Sequence, residues 1–126
     1  MITPKLAFGK FPIFERRVLK SETSHKNAKE IIAFLKEQMA KNPVVIVIGE
    51  FDHAAHTAKV GQMNPLMRDV QQVIFCFGPA IPNDDIVAVR PRAIGVIEYD
   101  DYFIVNFGEA PAAMPNDAMK SWVEQI

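Results

Sequence analysis

The chain has one cysteine, so it can form no internal disulfide, and a reducing compartment is expected. It has almost no net charge. Its 14 basic and 15 acidic residues leave −1, a balance that argues against nucleic acid as the main partner. It lacks an apolar run of roughly 18 residues that could span a bilayer. It also lacks a secretory leader pattern, because MITPKLAFGKFPIFERR is interrupted by Pro4, Lys5, Gly9, Lys10 and Pro12. The expectation is therefore a cytoplasmic protein with no membrane partner. P-loop, GxGxxG, CxxC and GxSxG motifs are all missing. No catalytic residue is indicated, the balance leans away from an enzyme, and no cofactor is named.

What is present is an ordinary globular mixture. Apolar residues make up 49% and charged residues 23%, which excludes disordered and collagen-like classes. A length of 126 residues fits one domain, 1–126. Residues 1–13, with their prolines and glycines, read as an irregular arm packed down by Leu6, Phe8 and Phe11. Phe14 to Glu22 reads as an edge strand, since its charges deter unwanted pairing. Ala28, Ile31, Ile32, Leu35 and Met39 recur at helical spacing, predicting a helix over about 25–41. Ser24 would cap it, and Asn42-Pro43 ends it.

Two strands follow, 44–49 and 73–77, each apolar on both faces. Between them Asp52 can cap a short helix to about Val60, with Gly61 as a left-handed stop. A long loop covers 79–92 and has room for a short strand at 86–89; loops of that length are often functional. A hairpin, 93–99 and 102–107, turns at Asp100-Asp101. Asn116 then caps a final helix, 117–125. The order is β-α-β4-α: an α+β domain with one mostly antiparallel sheet and helices packed on one face. The apolar second face must be covered either by the arm and the 79–92 loop or by another copy, in a homodimer packed sheet to sheet.

Some of these residues resemble a known family. They are Phe51-Asp52-His53-Ala54-Ala55, Lys59-Val60-Gly61, Val73-Ile74-Phe75 with Gly78-Pro79, and Arg92-Ala93-Ile94-Gly95-Val96-Ile97-Glu98-Tyr99-Asp100-Asp101. Together they are similar to domain-of-unknown-function family 302, over about residues 14–108. The resemblance implies a fold like half of the TATA-binding protein and a small-ligand or assembly role, with no reaction attached. The chain departs from the pattern where Gly78 meets Pro79 directly and where Ala80 to Val89 replaces a helical segment.

Five residues stand out as ligand-binding candidates: Asp52, His53, His56, Arg90 and Arg92. His53 and His56 share one helical face, and imidazole is the commonest metal ligand. HxxH alone is not a zinc signature, so no metal site is assigned. The bland reading makes them half-exposed residues behind the Asp52 cap. Arg90 and Arg92 flank Pro91 and could converge on a carboxylate or phosphate. The bland reading there is a surface pair answering Asp84 and Asp85. Cys76, between Phe75 and Phe77, reads as a core cysteine. The leading expectation is a small ligand, anions among the candidates, held between the 52–61 helix and the 79–92 loop. The alternatives are a metal-binding protein or enzyme built on His53 and His56, and an interaction module that uses an apolar sheet face.

Overall fold

The computed structural model describes all 126 residues. Six strands form one sheet: β1 (Ile2–Ala7), β2 (Phe11–Leu19), β3 (Val45–Asp52), β4 (Asp69–Phe77), β5 (Arg92–Glu98) and β6 (Tyr102–Gly108). Their spatial order is β1-β2-β6-β5-β4-β3, and every neighbouring pair is antiparallel. The helices are α1 (Ala28–Ala40), α2 (His53–Val60), the single turn α3 (Asp85–Ala88) and α4 (Ala113–Glu124). With β1, α2 and α3 set aside, the order is the expected β-α-β4-α.

Alternation builds the core. In β4, Gln71, Val73, Phe75 and Phe77 are buried while Val70, Gln72, Ile74 and Cys76 are half-buried. The buried set meets α1 through Ile31, Ile32, Leu35 and Met39, and α4 through Met119, Trp122 and Val123. Trp122 lies parallel to Phe77 at 5.7 Å and edge-on to Phe75 at the same distance. Aromatic pairs in such geometries stabilise beyond the area they bury.

Several expectations change. Residues 1–13 are no irregular arm: Ile2–Ala7 is a strand, because its one proline, Pro4, sits where an edge strand tolerates it. The stretch expected as an edge strand is therefore interior, and the true edges are β1 and β3. Residues 85–88 form a helical turn rather than a strand. Helix α1 starts at Ala28, capped by Asn27, whose side chain accepts from the Glu30 N–H at 2.9 Å. Ser24 is not the cap. The side chain of Asn116 binds the N–H and the C=O of Ala110, both at 2.8 Å, so α4 begins earlier, at Ala113. Gly61 has φ −169°, an extended rather than a left-handed stop.

The second face is partly covered. Ile46 and Ile48 of β3 alternate with the part-buried Val45 and Val47 and stay 65% and 58% exposed, and a bulge between Val47 and Gly49 shifts the pairing with β4 beyond them. The arm covers none of this face, since it has joined the sheet. The 78–91 loop reaches over Ile48 and Cys76 with Ile81 and Ile86. Cys76 thus lies on the open face beside the loop and is half-buried, not in the core. Helix α2 closes over the β3–β4 corner of the same face, where His53 meets Gln72, so the helices are not confined to one side.

Candidate functional site

The five candidate residues fall into two groups. Asp52 ends β3 and caps α2, its carboxylate accepting from the Ala55 N–H at 2.9 Å. That bond, with help from Gln71, holds its pKa below the ordinary value of 3.8. His53 shares a 2.9 Å hydrogen bond between its Nε2 and the side-chain oxygen of Gln72. It also stands edge-on to Phe51 at 4.3 Å, and His56 packs on the same ring at 5.5 Å. One aromatic ring and one amide therefore hold both imidazoles. Nowhere in the chain do three His, Cys, Asp or Glu side chains gather as metal ligands would.

Arg90 and Arg92 belong elsewhere. Gln72 and Phe75 are three residues apart on β4, roughly 10 Å along the strand, and point to opposite faces. Arg92 pairs with Phe75 in register, so it starts from the helix side while His53 lies on the open side. The structure does not bring the histidines and the arginines together.

The arginines do meet each other at a cavity. It measures about 160 Å³ and lies between the 79–91 loop and the start of α4. Phe77, Ile86, Val89 and Met114 supply apolar walls, with Pro111 and Pro115 beside them. Arg90 donates to the carbonyl of Ala80 at 2.7 Å. Arg92 donates to the carbonyl of Val89 at 3.3 Å and to that of Gly108. Neither arginine pairs with Asp84 or Asp85. Two carbonyls do not neutralise a guanidinium, and the Arg92 Nε–H is enclosed without an acceptor. Burial also pushes the pKa of Arg92 below its ordinary value.

Sequence reasoning found both arginines but not the walls of this cavity. The signal for the far wall lay in Asn116, whose side chain clamps Ala110 and holds Ala110-Pro111-Ala112 beside the cavity.

Two arginines without carboxylate partners thus line one largely apolar cavity. The family of unknown function (DUF6858) matches residues 2–126. The chain belongs to that family. Family 302, which the motifs resembled, is not the family found. No curated protein matches the chain. No solved structure matches it either, so the likeness to the TATA-binding protein has no support from that comparison.

Proposed function

We propose that this DUF6858 chain is a binding domain for a small, apolar, singly charged acid, held in the cavity at Arg90 and Arg92. The observation that carries this reading is a pair of arginines at one largely apolar cavity, each bonded to backbone carbonyls and neither to a carboxylate. A buried polar donor without a partner is costly, and a buried charge more so. A carboxylate at the cavity would offset that uncompensated guanidinium charge. Apolar walls would take the rest of the molecule. About 160 Å³ corresponds to the space of about five waters, which limits the ligand to a small aromatic or short-chain acid.

Benzoate and hexanoate serve as probes, with benzamide and hexanamide as neutral counterparts. Calorimetry or chemical-shift titration should show the acids binding at least tenfold tighter than the amides. Arg92→Gln should remove that preference while leaving the fold intact. Equal affinity for acid and amide, or acid binding unchanged in Arg92→Gln, would sink the reading.

A further inference from the structure

The β1–β2 hairpin ends in a tip that folding alone does not explain. Phe8 and Gly9 both have positive φ, 55° and 71°, in a turn closed by the Lys10 N–H donating to the carbonyl of Ala7 at 3.1 Å. Turns of this hand favour Asn-Gly, because a bulky residue is strained at positive φ. Phe8 is nevertheless there and is 94% exposed, so it gains nothing from packing to offset the strain. Its neighbours Leu6 and Phe11 are also exposed.

The register shows what kind of surroundings this tip suits. Leu6 pairs with Pro12, and Ala7 pairs with Phe11. Consecutive strand positions face opposite ways, so Leu6 and Phe11 lie on opposite faces of the hairpin with Phe8 at its apex. A flat protein partner meets one face. A tip that is apolar on both faces and at its end suits a medium that surrounds it.

Charge narrows the medium further. Of the hairpin's cations, Arg16 is taken up by the Val123 carbonyl of α4 and Arg17 lies over the Tyr102 ring, both toward the end of β2 away from the turn. Lys5 is shared with Glu15 at 3.6 Å, which leaves Lys10 as the unpaired cation at the turn. Apolar residues that dip below lipid headgroups, with lysines at headgroup level, form the pattern of interfacial anchoring. We propose that the hairpin tip inserts Phe8, flanked by Leu6 and Phe11, into the interface of an anionic bilayer. Such a contact needs no membrane-spanning helix, and no helix here is long and apolar enough to be one.

The test is flotation of the full chain with two vesicle preparations, phosphatidylcholine alone and equal parts phosphatidylcholine and phosphatidylserine. The chain should float with the mixed vesicles, weakly with phosphatidylcholine, and less as salt rises. Lys10→Gln should weaken binding about fivefold. Phe8→Asn should weaken it at least tenfold, yet melt no lower than wild type, because Asn tolerates this turn better than Phe. Phe8→Gly provides a second variant with the same expectation. Absence of flotation with the mixed vesicles, or Phe8 variants that float like wild type, overturns the proposal. It is also overturned if the Phe8 variants instead abolish self-association in light scattering, for then the tip docks a second copy.

Discussion

Asp52 shows how much one side chain can do at a junction. It is the last residue of β3 and the cap of α2, so it fixes where the strand stops and the helix begins. Without the carboxylate, the Ala55 N–H loses its acceptor. Asp52→Ala should lower the melting temperature by a few degrees at neutral pH, while Asp52→Asn, itself a good cap, should lower it less. The sign of the pH dependence follows from the depressed pKa. A carboxyl group held below 3.8 in the folded chain stabilises it above that value and loses the contribution as pH falls through the lower, folded value. The gap in melting temperature between wild type and Asp52→Ala should therefore be full at pH 7 and shrink below about pH 4. A gap that is constant down to pH 2 would mean that the charge of the cap has no part in it.

Elements are joined here by side chains reaching across layers, and Glu98 is the clearest case. It ends β5, yet one carboxylate oxygen accepts from the Ala28 N–H at the start of α1 at 2.9 Å. The other oxygen accepts from Lys20 at 2.7 Å. The sheet thus supplies an acceptor to a free amide of the helix and places negative charge at its N-terminus, where the dipole favours it. Glu98→Ala should cost about 2 kcal/mol in urea unfolding. Lys20→Met should cost clearly less, since the bond to α1 survives. Equal costs would indicate that the ion pair, not the helix contact, is what stabilises. A similar link runs from Arg16, which donates to the carbonyl of Val123 at 2.6 Å in the last turn of α4.

At the scale of the whole molecule, the two edges of the sheet differ. The edge strand β1 carries Pro4 and Lys5, residues that deter pairing with another chain. The edge strand β3 carries the exposed Ile46 and Ile48 instead. If two copies associate, the β3 edge and the open face beside it are the surface for it. Light scattering at tens of micromolar should then give twice the chain mass, and Ile48→Glu should give a soluble monomer. A wild-type monomer at that concentration excludes this assembly. Val47 would be the wrong position for the charge, since it packs partly buried against the core.

The sequence by itself determined the α+β class, helix α1, the β5–β6 hairpin and the Asp52 cap, because each rests on periodicity or on contacts a few residues apart. It also pointed to Arg90 and Arg92 as a pair, since they flank one proline. Only the tertiary structure decided the rest. Whether 2–7 is an arm or a strand depends on β2 offering it an edge, a pairing no local pattern encodes. That His53 and Arg92 face opposite sides depends on the register of β4 with two neighbours, where a shift of one residue would reverse the answer. The cavity exists because Asn116 clamps Ala110 and sets the start of α4 against the 79–91 loop, closing a space between segments some thirty residues apart. Local chemistry is written in neighbouring residues, whereas enclosure depends on distant ones meeting.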